Sequence, residues 1–342
     1  MDKQIKQVVL TLDGKIEIQN TEIPKLAANA ILVKPEYGVI SAGTETMLIR
    51  AARERKIKAP IALGYSEAGI VVEAGNEIKS VKPGDRVACY GAPYVHHAEL
   101  ISMSKHLFCP IPEQVTTRDA AFVALGTIAI HGVRQSDLRF GESALVVGLG
   151  LIGQMVAQVC VAAGIKTIVA DLNPQRLQLA KQLGAEYTVN PEDKDYLDRI
   201  KEYTDGQGVD VVFLCLATTA TKPMDQAFDA VRFRGKVVII GVLPLEINRE
   251  QMYQKEAELM ISRAAGAGRY DPIYEKDGFD FPHGYVRWTE HRNMQEFIRL
   301  LAKGLIKVAP LVSSEHPLAK IPEVYEQLVT SNQNILGVVI KY

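Results

Sequence analysis

One stretch, ALVVGLGLIG at residues 144–153, constrains the fold of this chain more than any other. A strand-like apolar run leads into Gly148, Gly150 and Gly153, and a helix-like apolar run follows. In this arrangement the first glycine permits a tight turn and the second lets a ligand approach the backbone. The third lets the helix pack closely on the strand. The stretch therefore predicts a strand–turn–helix unit of a parallel α/β sheet.

The region around this unit alternates between strand-like and helix-like runs. The next strand, KTIVAD, is followed by Asn173-Pro174, an N-cap and first-turn proline for another helix. The remaining strand-like runs are EYTVN, DVVFLCLA, KVVIIG and ELMISRAAG. Six strands that mostly alternate with helices predict an α/β fold with a Rossmann doubly wound, six-stranded parallel sheet over residues 124–266.

The second strand ends in Asp171, which lies 23 positions after Gly148 (171 − 148). An acidic residue about 20 positions on hydrogen-bonds the adenosine ribose of a bound dinucleotide, and the helix N-terminus favours its phosphates. Because a carboxylate repels a 2′-phosphate, we expect NAD(H). Small residues after the later strands leave room for the nicotinamide half. The predicted cofactor-binding residues are Gly148, Gly150, Leu151, Ile152, Gly153, Asp171, Leu172, Arg176, Ala217, Thr218, Gly241, Val242 and Ala265.

Composition narrows the partners. The 342 residues carry a formal net charge of −1 with no large block of one sign, so we expect no nucleic-acid and no membrane partner. The N-terminus lacks the apolar region of a signal peptide. Four cysteines lie far apart without a CxxC pair, so we expect reduced thiols, no structural zinc and a cytoplasmic protein.

The flanking regions differ from the α/β part. The first 110 residues are rich in short β-type runs, and no clean helical period appears before about residue 117. The ISAGTET stretch at 40–46 is thus interpreted as a strand end. We predict one domain from residues 1–123 and 267–342, into which residues 124–266 are inserted as a second domain.

This order of parts resembles the medium-chain dehydrogenase/reductase superfamily, which combines a GroES-like β domain, an inserted Rossmann domain and a C-terminal return. The resemblance rests on LGYSEAGIVVEAG, VKPGDRVACYG, GLGLIGQ with Asp171, and ILGVVIKY. SAGTE and GRYDP…GYVRWTEHRN are similar to the zinc-free medium-chain module of bi-domain oxidoreductases. The resemblance implies an oxidoreductase that uses a nicotinamide cofactor.

The resemblance also indicates what has happened to the metal site. Zinc-using members carry a cysteine where this chain has Ala42, a histidine where it has Tyr65, and a third ligand near Ala124. Zinc needs three protein donors, so no catalytic metal is expected. Whether Glu45, Glu67, His96 or His97 form another metal site is left open, although neighbouring histidines on a strand point to opposite faces.

Without zinc, side chains must handle the proton. Thr44 matches the family's Ser/Thr relay position, Tyr65 replaces a ligand, and Ser41 and Glu45 are nearby in sequence. His131 is a further candidate, although a buried, satisfied histidine is commoner. The predicted substrate-binding residues, which equally fit a solvated loop or a dimer contact, are Arg269, Tyr270, Asp271, Tyr285, Arg287 and Trp288.

The leading functional hypothesis is a zinc-independent NAD(H)-dependent oxidoreductase. It would transfer hydride between nicotinamide and a secondary hydroxyl or ketone of a sugar, glycoside or polyol-like small molecule. Two alternatives stay open: an NAD(P)H-dependent quinone or enone reductase, and a non-catalytic nicotinamide-binding protein. We expect a homodimer or homotetramer, formed through the edge strand near ELMISRAAG.

Overall fold

The computed structural model describes residues 4–330 and 335–342. The chain divides into two compact units: the first comprises the chain up to Thr127, Ala267–Gly304 and Leu311–Tyr342, and the second comprises Ile128–Gly266 and Leu305–Pro310. The predicted boundary lay four residues earlier, and 305–310 had been placed with the other part. Within the described ranges, no helix has both the length and the apolar character of a membrane span.

The N-terminal part of the first unit consists mainly of strands. Its elements are β1 (Gln4–Leu10), β2 (Ile16–Glu22), β3 (Ala30–Ile40), α1 (Ala42–Arg53), β4 (Ile61–Ala62), β5 (Ser66–Ala74), β6 (Arg86–Tyr90), β7 (Ile101–Ser104), β8 (Phe108–Pro110) and α2 (Thr117–Ala120). The sequence prediction missed α1.

Helix α1 begins directly after β3, so ISAGTET is a strand end that runs into a helix rather than a turn. The buried positions Glu45, Ile49 and Ala52 recur at helical spacing. Ile49 and Ala52 belong to an apolar core of the first unit. Packing therefore stabilises a helix whose first turn has low intrinsic propensity, since it contains Gly43 and Thr44.

The second unit alternates strands and helices. Its elements, with the boundary between the units falling inside α3, are α3 (Val123–Gln135), β9 (Ser143–Val147), α4 (Leu151–Ala162), β10 (Lys166–Ala170), α5 (Pro174–Gln182), β11 (Tyr187–Val189), α6 (Tyr196–Tyr203), β12 (Val209–Leu214), α7 (Lys222–Ala230), β13 (Val231–Ile239), α8 (Arg249–Lys255) and β14 (Glu258–Ile261).

These six strands form one parallel sheet in the order β11-β10-β9-β12-β13-β14. The order reverses at β9, all five residues of which are buried. The Rossmann prediction is confirmed. Segment 305–310 joins this unit because Gln158 on α4 accepts a hydrogen bond from the Lys307 amide at 2.8 Å and donates one to its carbonyl at 3.2 Å.

The C-terminal part returns to the first unit. Its elements are α9 (Pro272–Glu275), α10 (Glu290–Ala302), β15 (Val312–Pro317), α11 (Ile321–Thr330) and β16 (Gly337–Lys341), with short 3₁₀ turns at Ala309–Leu311 and Leu318–Lys320. Strand β16 pairs antiparallel with β3 in a sheet ordered β15-β16-β3-β5-β6-β8, and β7 also pairs with β3. A second sheet has the order β2-β1-β4. The closing strand is therefore part of the N-terminal β domain, as the resemblance implied.

Candidate active site

The glycine-rich turn between β9 and α4 has the geometry that the spacing predicts. Gly148 adopts a φ of +88°, which favours glycine. A Cβ on Gly153 would lie 1.9 Å from the Gly148 carbonyl oxygen, so only glycine lets the helix approach the strand this closely. Gly150 caps α4, and a Cβ there would meet nothing within 4 Å. Leu151 and Ile152 form the first turn of α4, whose free N–H groups favour an anionic group.

The Asp171 carboxylate links the ends of β9 and β10 beside this turn. Its carboxylate accepts hydrogen bonds from the Leu149 amide at 2.6 Å and the Asn173 amide at 2.8 Å. Arg176 lies with its guanidinium 3.9 Å from the same carboxylate, and Leu172 is exposed. The carboxylate is therefore held at the end of β10, next to the glycine-rich turn.

The later strands bring further predicted residues together. Ala217 forms a parallel bridge with Val242, and the Thr218 amide donates to the Val242 carbonyl at 2.9 Å. A Cβ on Gly241 would lie 2.0 Å from the Leu216 carbonyl, so this position requires glycine. Thus the loops that follow β12 and β13 lie side by side at the carboxyl ends of the strands. Ala265, after β14, is fully buried.

In the first unit, Tyr65 is the centre of a hydroxyl cluster. Ser41 and Thr44 lie within hydrogen-bonding reach of its phenol. Ser41 is buried, whereas Thr44 is exposed. Burial, with a contribution from the nearby Glu45 carboxyl, raises the pKa of Tyr65 to about 12. The phenol is therefore protonated at neutral pH, and it can donate a hydrogen bond to a substrate oxygen.

Glu45 has a different position from the one expected of a catalytic group. Its carboxylate is buried and accepts hydrogen bonds from the Ser41 amide at 2.7 Å, the Gly64 amide at 2.6 Å and the Tyr325 hydroxyl at 3.0 Å. Ser41 and Gly64 flank the start of α1 and Tyr65. We therefore interpret Glu45 as a residue that positions the hydroxyl cluster.

The residues at the family's three zinc positions do not fit the metal. Ala42 offers no donor atom, and Tyr65 is a neutral phenol. Ala124 is buried, and its amide donates to the Ser66 hydroxyl at 3.1 Å. Zinc prefers thiolate, imidazole and carboxylate ligands. These residues supply none of them.

The open question about Glu45, Glu67 and the two histidines has a structural answer. His97 is fully buried, with one ring nitrogen 2.5 Å from Glu67 and the other 3.7 Å from Glu45. His97 is thus hydrogen-bonded to Glu67 through Nδ1, while its Nε2 faces Glu45 without a hydrogen bond. His96 and His97 lie outside the strands, contrary to the expectation. Among the described residues, no group of three or more His, Cys, Asp or Glu side chains is arranged to hold a metal.

His131 lies in the second unit, where Gly266 adjoins its ring; a Cβ on that glycine would be 2.7 Å from Nδ1. Burial lowers the pKa of His131 to about 4. A weakly basic imidazole is a poor proton acceptor.

The segment that holds the predicted substrate-binding residues, 269–288, is held in place by hydrogen bonds of its polar side chains. Arg269 is buried and donates to Glu275 and to the Ala92 carbonyl, the latter at 2.9 Å. Asp271 caps α9 by accepting from the Ile273 amide at 3.0 Å. Two of the six predicted residues thus have structural contacts.

The other four predicted substrate residues present aromatic or charged surface. Tyr270 is 52% exposed, with the Arg269 guanidinium carbon 4.0 Å from its ring centre. Arg287 lies 3.6 Å from the Trp288 ring centre, and Tyr285 is 91% exposed. Tyr270 is connected to the hydroxyl cluster, because it contributes to the electrostatic surroundings of Tyr65.

Sequence reasoning missed Tyr90, and it counted Glu290 with the polar and aromatic segment 269–292 without predicting that its side chain is buried. The Tyr90 ring lies 6.1 Å from that of Tyr65 and 5.3 Å from the Arg269 guanidinium carbon. Glu290 is fully buried at the start of α10. A carboxylate placed just before an apolar helical run resembles an ordinary first-turn residue, so the sequence carries no signal for its burial.

Comparison with known proteins agrees with this architecture. Residues 28–129 match the family model described as the alcohol dehydrogenase GroES-like domain, and residues 152–273 match the one described as zinc-binding dehydrogenase. Together the two models span more than half of the chain.

Three similar proteins match this chain over most of its length. A zinc-type alcohol dehydrogenase-like protein of Escherichia coli K12 is 28% identical, covering 89% of this chain and 99% of the relative. Sorbitol dehydrogenase of Bacillus subtilis is 24% identical, with 99% and 97% covered. A structure described as a zinc-binding dehydrogenase of Sinorhizobium meliloti 1021 bound to NADP is 25% identical, with a TM-score of 0.80 and 99% of each chain covered.

Proposed function

Because the chain belongs to the medium-chain dehydrogenase/reductase superfamily, we propose that this oxidoreductase works without zinc and with NAD(H). Its reaction would be hydride transfer between nicotinamide and a secondary hydroxyl or ketone of a sugar, glycoside or polyol-like molecule. The observation that carries the proposal is the Ser41–Thr44–Tyr65 hydroxyl cluster. The resemblance aligns Tyr65 with a zinc ligand and Thr44 with the relay residue of zinc-using members.

In this proposal the second unit holds the cofactor. The first-turn N–H groups of α4 bind the pyrophosphate, and Asp171 binds the adenosine ribose. When bound, NAD⁺ accepts a hydride and NADH supplies one. Asp171 supports NAD(H) because its carboxylate would repel a 2′-phosphate, although Arg176 nearby reduces that repulsion.

The first unit moves the proton. For ketone reduction, the Tyr65 phenol donates a hydrogen bond to the carbonyl oxygen and then its proton to the alkoxide that forms. Hydrogen bonds from Ser41 and Thr44 stabilise the resulting phenolate. For alcohol oxidation the phenol must first lose its proton. Since the pKa of Tyr65 is about 12, oxidation should accelerate as the pH rises through the alkaline range.

The substrate class is supported by the aromatic and charged side chains that the predicted substrate residues Tyr270, Tyr285 and Arg287 expose. Aromatic rings stack on C–H patches of polyhydroxylated molecules, and charged groups bind their hydroxyls. The resemblance to a sorbitol dehydrogenase adds weight to a polyol-like substrate.

The test is a panel of sugars, polyols, quinones and enones, each assayed with NAD(H) and NADP(H), with and without a strong chelator. We expect turnover with a polyol or keto-sugar and NAD(H), unchanged by the chelator. Turnover confined to enones would favour the reductase alternative. Cofactor binding without turnover, by a protein that stays folded, would favour the non-catalytic one.

A further inference from the structure

Three charged side chains are buried together beneath Tyr270: Arg269 is 8% exposed, Glu275 5% and Glu290 0%. Arg269 donates one hydrogen bond to Glu275. The same Glu275 oxygen accepts from the Tyr270 amide at 2.9 Å. Glu275 therefore ties Arg269 to the backbone of Tyr270 through two hydrogen bonds that one oxygen accepts.

The carboxyl of Glu290, unlike that of Glu275, accepts no hydrogen bond from a neighbouring donor in the described part of the chain. Both of its carboxylate oxygens are buried without a hydrogen-bond donor, although the group lies within hydrogen-bonding range of Glu275. Among the described residues, no cation lies within ion-pair distance of Glu290. Two ionised carboxylates would present acceptors to each other and leave a buried charge uncompensated, which is strongly unfavourable. A single proton between them converts this repulsion into a hydrogen bond.

We propose that Glu290 is a neutral carboxylic acid that donates its proton in a hydrogen bond to Glu275, and that this pair positions Tyr270 and Tyr90 beside Tyr65. With one shared proton, the charges of Arg269, Glu275 and Glu290 add to zero. Burial, the largest influence, also raises the pKa of Glu290 to about 8.

The Glu275–Glu290 pair is connected to the hydroxyl cluster through Arg269, whose guanidinium group contacts two aromatic rings. The Arg269 guanidinium carbon lies 4.0 Å from the Tyr270 ring centre and 5.3 Å from that of Tyr90. Tyr270 also has a φ of +68°, which is uncommon for a residue with a side chain and requires support from its surroundings. The hydrogen bond from the Tyr270 backbone N–H to the Glu275 carboxylate supplies that support.

Loss of the shared proton would leave two buried negative charges facing one cation. The titratable groups around Glu290 are Arg269, Glu275, Tyr90 and Tyr274; burial raises the pKa of both tyrosines above the ordinary value, so they stay neutral. The carboxyl's pKa in the folded state exceeds its ordinary value. Its contribution to stability is therefore fully present below the ordinary pKa of 4.5, declines as the pH rises from there, and is lost once the pH exceeds about 8.

The decisive variant is Glu290→Gln, which keeps a hydrogen-bond donor to Glu275 but cannot ionise. Melting temperatures are measured from pH 5.5 to 9.5 for the wild type, for this variant and for Glu113→Gln, a change at an exposed glutamate. We expect the wild type and Glu113→Gln to lose stability relative to Glu290→Gln as the pH rises from 5.5 to about 8, and to lose no more above that pH. A Glu290→Gln protein with the same pH dependence as the wild type would overturn the proposal.

A second readout does not depend on this variant folding. The wild type should show an infrared C=O band of a buried carboxylic acid at pH 6.5 that disappears near pH 8. Glu275→Gln should move that step to lower pH, because it removes the neighbouring negative charge. A band that stays through pH 9.5, or a step unmoved in Glu275→Gln, would contradict the shared proton.

The effect on catalysis rests on the proposed function, so it is measured separately. At pH 9, about a tenth of a carboxyl with a pKa near 8 remains protonated. The kcat/KM of the wild type relative to Glu290→Gln should therefore fall up to about tenfold between pH 7 and pH 9. A constant ratio would refute the positioning role. If no substrate is found, the melting and infrared results still decide whether the proton is shared.

Discussion

Glu45 provides the sharpest test of how the hydroxyl cluster is held. Its carboxylate accepts hydrogen bonds from two backbone amides, of Ser41 and Gly64, and one from the Tyr325 hydroxyl. Glu45→Gln keeps the shape of the side chain but replaces one acceptor oxygen with a donor. At least one of the two buried amides then faces an NH₂ group instead of an oxygen.

The size of the effect follows from these contacts. A hydrogen bond to a charged group contributes about 1.5–3 kcal/mol, and a buried donor left without a partner costs about 1–3 kcal/mol. The lost hydrogen bond and the donor without a partner belong to the same contact, so the two costs are not simply added. We expect the free energy of unfolding of the first unit to fall by about 3 kcal/mol. For a unit of this size, 1 kcal/mol corresponds to roughly 2–4 °C, so the melting temperature should fall by roughly 6–12 °C.

The assay compares thermal melting and kcat/KM for the wild type, Glu45→Gln and a control, Glu54→Gln, which changes an exposed glutamate just beyond the same helix. We expect Glu54→Gln to behave like the wild type. Glu45→Gln should lose stability and catalytic efficiency together. If Glu45→Gln melts like the wild type yet loses activity, then Glu45 acts in the chemistry and the positioning role is wrong.

Four further substitutions separate folding, cofactor binding and proton transfer. Gly153→Ala places a Cβ 1.9 Å from a carbonyl oxygen and should lower the melting temperature, whereas the Cβ of Gly150→Ala meets nothing within 4 Å and should leave stability unchanged. Gly150→Ala should instead weaken NADH binding, which fluorescence titration measures. Equal melting temperatures of the two variants would contradict this assignment. Tyr65→Phe should lower kcat for ketone reduction by about 10²–10⁴-fold and abolish the alkaline rise in alcohol oxidation; a retained rise would assign the proton to another group. Asp171→Asn should weaken NADH binding and narrow the preference for NADH over NADPH; an unchanged ratio of the two dissociation constants would rule out a role for the carboxylate in selectivity.

The second unit was predictable because its signals are local. The glycine spacing, the apolar strands and the acidic end of β10 all lie within short stretches of sequence. Gly148 has a conformational reason and Gly153 a steric one, and both follow from the strand–turn–helix unit alone. The alternation of elements then leaves little freedom in the order of the strands.

The first unit was less predictable because long-range contacts determine it. Helix α1 depends on burial of Ile49 and Ala52, and its first turn contains poor helix formers. Glu45 appeared to be a candidate for catalysis, but its partner Tyr325 lies 280 positions away. Glu290 likewise acquires its buried neighbours only when the C-terminal segment packs. No spacing rule connects such positions.

Zinc independence is the central claim, and one measurement tests it most directly. The metal content of the purified protein is determined by mass spectrometry on the same sample whose turnover with a polyol or keto-sugar and NAD(H) is measured. The hydroxyl cluster predicts full turnover with far less than one zinc per chain, and no gain when zinc is added. Activity that rises in proportion to bound zinc, and disappears when the metal is removed, would contradict it.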